Sequence, residues 1–123
     1  MRTVGTILQN AVNTTTSTDF SIDGAKRVTL ELTRTDHTSG NTAYTFFASV
    51  DGTNFHAYNK VITNTANTNA QNLIRVASVT LSSATTNLVS LDLQHDVFKA
   101  FRVTATRTTD GKSTVRALIS YED

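Results

Sequence analysis

A chain of 123 residues is long enough to bury a core without covalent staples, and the absence of cysteine excludes a disulfide framework and a thiolate metal site. Its 11 Lys and Arg against 10 Asp and Glu leave a formal charge of +1, so bulk charge draws it to neither nucleic acid nor an anionic membrane. No apolar run approaches the roughly 20 residues of a membrane-spanning helix, and residues 1–20 lack the basic-then-apolar pattern of a signal peptide, so synthesis and retention in a cytoplasm are expected. Residues 1–123 read as one domain.

Taken in order, the chain supplies strand after strand. Thr3–Leu8 is a short first candidate, and Asn13–Ser17 is a polar connection. Phe20 and Ile22 mark a second strand, closed by a turn at Asp23-Gly24. Val28, Leu30 and Leu32 alternate with Thr29, Glu31 and Thr33, the period of a strand with one wet face. After a loop at Asp36–Asn41, Tyr44, Phe46, Ala48 and Val50 alternate with Thr45, Phe47 and Ser49. Asp51–Asn54 breaks that run. A loop of two or four residues there predicts a hairpin with Phe55 and Ala57 on the face of Phe46, Ala48 and Val50.

Thr63–Gln71 reads as a polar loop, Leu73–Leu81 and Leu88–Leu93 as two more strands. Phe101, Val103 and Ala105 alternate in the next strand, and Val115, Ala117, Ile119 and Tyr121 in the last. A loop of Thr109-Asp110-Gly111 would pair these two as a hairpin, Phe101 opposite Ile119 and Val103 opposite Ala117, with Gly111 in the left-handed position. Eight or nine short strands at this spacing, and no helical periodicity, predict an all-β fold: an antiparallel β-sandwich, jelly-roll-like, with Leu30, Phe46, Phe101, Val103 and Ile119 in its core.

The chemistry-bearing residues do not converge on a reaction. His37, His56 and His95 fall in different elements, and in Asp36-His37 and His95-Asp96 adjacent strand residues would point to opposite faces. No G-x-S-x-G elbow activates a serine, Asp51–Asn54 is too short for an EF-hand loop, and the glycines form no phosphate cradle. No catalytic, metal or cofactor residue is therefore expected. The outward phase of the central hairpin instead holds Phe47 and Tyr58, with His56 beside them and Tyr44 near. Arg102, Arg107 and Arg116 would gather at the last hairpin. Exposed aromatics and arginines mark contact surfaces, so Phe47, Tyr58, His56, Arg102 and Arg116 are the candidate interaction residues.

Two segments carry a resemblance. Ser49-Val50-Asp51-Gly52-Thr53-Asn54-Phe55 resembles the S-x-D-G-x-N-aromatic hairpin of small β-sandwich proteins in tailed-bacteriophage virions. Val97-Phe98-Lys99-Ala100-Phe101-Arg102-Val103 resembles the returning strand of those domains, where an aromatic and Arg precede an apolar residue. With its Thr- and Asn-rich connections, the chain resembles phage head decoration or auxiliary capsid proteins. That resemblance implies a structural virion protein that binds the outside of an assembled shell through its major capsid protein and stabilises it without covalent bonds. It further implies a homo-oligomer, a trimer by the symmetry of capsid docking points, and no cofactor. Carbohydrate-binding jelly rolls carry similar turns, so the alternative is a carbohydrate- or receptor-binding module of a tail or fibre. Such modules use exposed Trp or Tyr platforms, whereas this chain has no Trp and places Tyr44, Tyr58 and Tyr121 within predicted strands.

Overall fold

The computed structural model describes residues 2–12, 15–16, 19–66 and 71–122. They form twelve strands: β1 (Arg2–Ala11), β2 (Thr15–Thr16), β3 (Phe20–Ser21), β4 (Arg27–Thr35), β5 (Gly40–Ser49), β6 (His56–Ala57), β7 (Val61–Ala66), β8 (Gln71–Val76), β9 (Ser78–Leu81), β10 (Thr85–Ser90), β11 (Ala100–Thr109) and β12 (Lys112–Ser120). One sheet runs β1-β12-β4-β10-β7-β8. The second runs β2-β11-β5-β6, with β3 also pairing β11 and β9 also pairing β5. Every pairing is antiparallel, and the two sheets pack as a β-sandwich.

The alternation in β4 and β5 explains the layering. Val28, Leu30 and Leu32 point inward from the first sheet, while Tyr44, Phe46 and Ala48 point inward from the second. Leu30, Phe46, Phe101, Val103 and Ile119 are all buried, as their strand phase requires. Phe101 is the hub. Its ring lies 5.7 Å from Phe20, 6.2 Å from Phe46 and 5.9 Å from Tyr58, a cluster of offset and edge-on contacts.

Three expectations need correction. First, β11 and β12 do not pair as a hairpin: β11 lies beside β5 in the second sheet, and β12 lies between β1 and β4 in the first. The turn at Asp110 is an arch from one layer to the other. Phe101, Val103, Ala105, Val115, Ala117 and Ile119 are buried nonetheless, because inward sets look alike whether two strands pair by their edges or face each other across a core.

Second, the central hairpin is shifted by one residue. Phe47 pairs with Ala57 and Ala48 with His56, and the Tyr58 amide donates to the Phe46 carbonyl at 2.8 Å. The loop is thus Val50–Asn54, built around Asp51. Its carboxylate accepts from the Thr53 and Asn54 amides, both at 2.8 Å, from Asn54 Nδ2 at 2.7 Å and from Ser49 Oγ at 2.9 Å. A one-residue slip exchanges the faces of the returning strand, so Ala57 is exposed and Tyr58 is core, while Val50, past the end of β5 and in the loop, is 75 % exposed.

Third, several boundaries differ. Leu73–Leu81 breaks at Ala77, where the chain leaves the first sheet for the second. Most of the expected Thr63–Gln71 loop is a hairpin of β7 with β8, residues 67–70 lying outside the described set. The expected Leu88–Leu93 strand is β10, which starts at Thr85 and ends at Ser90. Within the Asn13–Ser17 connection, Thr15–Thr16 pairs with β11, while Asn13, Thr14 and Ser17 lie outside the described set. These breaks and two-residue bridges raise the count from eight or nine to twelve.

Candidate functional site

The five candidate interaction residues do not form one surface. Phe47 and Arg102 are cross-strand partners on the outer face of the second sheet, both half-buried. The Arg102 guanidinium lies 3.8 Å over the Phe55 ring and grips Asp19 with two bonds of 2.8 and 3.0 Å. His56 is exposed on the short β6 but sits one residue out of phase with Phe47. Tyr58 and Tyr44 are buried, so neither contributes to a surface. Arg116 lies on the opposite side of the sandwich, on the outer face of the first sheet, bonded to Glu31 at 2.9 and 3.2 Å. Arg107 donates to the carbonyls of Thr109 and Gly111. The three arginines therefore do not gather, because the arch sends β11 and β12 into different layers.

Ionisable groups instead fasten the two ends of the sandwich. At one end Arg34 is fully buried, since the strand phase of β4 carries it inward after Leu32. Its guanidinium donates to Thr42 Oγ1 at 2.6 Å, to the Ser39 carbonyl at 3.0 Å and to Asp110 Oδ1 at 3.2 Å, while Nε donates to His37 Nδ1 at 3.2 Å. Asp110 in turn accepts from the Thr38 and Ser39 amides. Those amides, Thr38 first, and the Arg34 charge hold the Asp110 carboxyl below its ordinary value. The arch and the β4–β5 turn are thus tied through one buried cation.

At the other end Asp92 is 3 % exposed. It receives Arg75 Nε at 2.8 Å and lies 3.1 Å from His95 Nδ1, and these bonds, His95 first, lower its carboxyl. The Tyr58 hydroxyl accepts from the Asp92 amide at 3.2 Å and donates to Asp96 at 3.3 Å. Burial pushes Tyr58 up to about 12. Lys60 completes the group with a 2.9 Å bond to Asp96. Among the described residues no three His, Asp or Glu side chains are grouped to hold a metal ion. Every buried side-chain nitrogen and oxygen among them has a partner.

Two surface features went unread in the sequence. One is an open groove of about 500 Å³ bordered by Lys26, Arg27, Arg75, Ser90, Asp92 and Gln94. The other is aliphatic. Val4, Leu88 and Leu118 stand 62, 59 and 42 % exposed on the outer face of the first sheet, around the Arg116–Glu31 pair. Leu118 and Leu88 each occupy the outward phase beside an inward Ile119 or Val89. That was the available signal, but a single apolar residue out of phase is common on monomers.

The sequence matches no protein family and no curated protein. The fold is similar to that in the crystal structure of SPBc2 prophage-derived protein YomS, at a TM-score of 0.67 and 13 % identity, over 97 % of this chain and 92 % of that one. At that identity the likeness speaks for the fold, and the fold is one that a prophage-derived protein adopts almost from end to end.

Proposed function

We propose that the protein is a non-enzymatic structural component of a phage particle, resident in the virion, which docks on the outside of an assembled shell by non-covalent contacts with the major capsid protein. The observation that carries this reading is the likeness to a prophage-derived protein over nearly the full length of both chains. The role of the ionisable residues agrees with it. Arg34, Asp110, Asp92 and Tyr58 are engaged in joining the ends of the sandwich, and His95 bonds to Asp92 rather than to a nucleophile. The Ser49–Phe55 turn, organised by Asp51, is the segment that resembles decoration proteins.

The groove bordered by Lys26, Arg27 and Arg75 favours a second reading, a carbohydrate- or receptor-binding module of a tail or fibre, since its donors suit a polyhydroxyl or anionic polymer. Co-sedimentation of the purified chain with empty capsids of its phage, beside a glycan array, tests both. Saturable pelleting with capsids and a blank array supports the first reading. A chain that stays in the supernatant overturns it, and array binding abolished by Arg27→Glu supports the second.

A further inference from the structure

The geometry points to the outer face of the first sheet as a self-association surface, on which a second copy of this chain packs about a two-fold axis. This inference does not rest on the particle reading. It also differs from the three-fold association that the resemblance implies.

The argument begins with what is exposed. Strand register places Val4 beside Leu118, Leu118 beside Thr29 and Thr29 beside Ser90, all in one row across β1, β12, β4 and β10. The next row runs Thr6, Arg116, Glu31 and Leu88. The aliphatics in these two rows frame a shallow depression of about 290 Å³. Apolar residues scattered singly on a surface need no cover, but branched aliphatics grouped around a hollow do. The register shift in β1 falls after Thr6, so Val4 lies where the ladder is still regular.

The rows also identify the occupant. A two-fold axis lying in the face, parallel to the strands and midway between β12 and β4, keeps each row in place and exchanges its two halves. Leu118 of one copy then meets Thr29 of the other, Val4 meets Ser90, and Thr6 meets Leu88. Each large side chain faces a small one, as sheets packed face to face at about 10 Å require. Arg116 meets Glu31 twice, once on each side of the axis. All four pairings are complementary in size or charge. A partner of uniform charge would instead oppose one member of the Arg116–Glu31 pair with its own sign.

The test uses the full chain and reads mass by sedimentation across a concentration series. The wild type should approach twice the monomer mass. Arg116→Glu and Glu31→Arg should each set like charges across the axis and weaken association by roughly 100-fold or more, the scale of losing a buried charge partner. Mixed in equal amounts, the two variants restore both pairs between unlike copies, so the dimer should return. Leu118→Asp should give a monomer that still melts cooperatively, while Arg102→Glu, on the other sheet, should leave the mass unchanged. A wild type that stays monomeric, a trimer, or no recovery on mixing would overturn the proposal. A dimer that fails to pellet with capsids would leave it standing and count only against the particle reading.

Discussion

Gly111 lies so near the Arg34 guanidinium that a Cβ built on it would stand 2.6 Å from both Cζ and Nη1. The same residue has a φ of +103°, in the region that side chains rarely adopt. The arch between the two sheets therefore depends on a missing side chain for two separate reasons. Gly111→Ala should destabilise by more than the roughly 1–2 kcal/mol of the left-handed penalty, because Arg34 must also move from its buried partners. Gly24 makes the control. Its φ is +79° but nothing lies within 4 Å of its would-be Cβ, so Gly24→Ala should show the backbone penalty alone. Equal urea midpoints for the two variants would contradict the packing of Gly111 on Arg34.

Removing the hub ring should cost far more than trimming its surroundings. Phe101 is fully buried among Phe20, Phe46 and Tyr58, so Phe101→Ala should lower stability by about 3–5 kcal/mol. Val97→Ala, at a residue 85 % exposed, should change the thermal midpoint little.

The arch can be told from a hairpin by cross-linking, since the chain has no cysteine to interfere. Thr45 and Thr104 are cross-strand partners in the second sheet, so a Thr45→Cys, Thr104→Cys double variant should oxidise readily. A Thr104→Cys, Arg116→Cys double variant places its thiols on opposite outer faces and should remain reduced under the same conditions. Peptide mapping after mild oxidation distinguishes them.

What could be read from the chain, and what could not, divides along the same line. Alternation reports which side of a strand is buried, and on that question Leu30, Phe46, Phe101, Val103 and Ile119 were all legible. It does not report the neighbour. Phe101 and Ile119 suit one another equally as edge-paired partners and as residues facing across a core, so the arch was invisible. Tyr58 was lost to a different cause. With Val50, Ala48 and Phe46 in one phase, apolar matching favoured a loop of two or four residues. The bonds that the Asp51 carboxylate accepts from the Thr53 and Asn54 amides instead favour five residues and exchange every side of the returning strand. Of the candidate surface, Phe47 and Arg102 are brought together, whereas Arg116 followed β12 to the other layer.

Acid should loosen the molecule at both ends. The carboxyls of Asp110, Asp92, Asp51 and Glu31 all lie below their ordinary values in the folded chain, Asp51 through the Asn54 and Thr53 amides and Glu31 through Arg116. A carboxyl lowered by folding adds stability above its unfolded value and loses it as pH falls through the folded one. The thermal midpoint should therefore hold down to the ordinary carboxyl values of 3.8 for Asp and 4.5 for Glu, then fall steadily below them. In Asp110→Asn the neutral-pH midpoint should be lower and the acid-side slope shallower.

Base acts through two buried tyrosines, Tyr58 most strongly and Tyr44 as well. A tyrosine raised from 10.0 to about 12 by folding contributes stability that is complete below 10 and is lost as pH climbs toward 12. Tyr58→Phe should reduce that alkaline loss and leave the share of Tyr44, whose hydroxyl burial also raises. It should also cost about 1–3 kcal/mol at neutral pH, because the Asp92 amide loses its acceptor. An alkaline titration that is unchanged in the variant would show that another group governs the limb.

The position of β12 between β1 and β4 has a consequence for how the molecule comes into being. Among the described residues β1 has no partner until β12 has been made, and until then β4 keeps open the edge that β12 will cover. A nascent chain must therefore carry these edges unsatisfied from the making of β1 and β4 to that of β12, each able to recruit a neighbouring chain. Contacts this distant in sequence also make the final closure slow compared with a local hairpin. The sheet closes only when β12 arrives between β1 and β4.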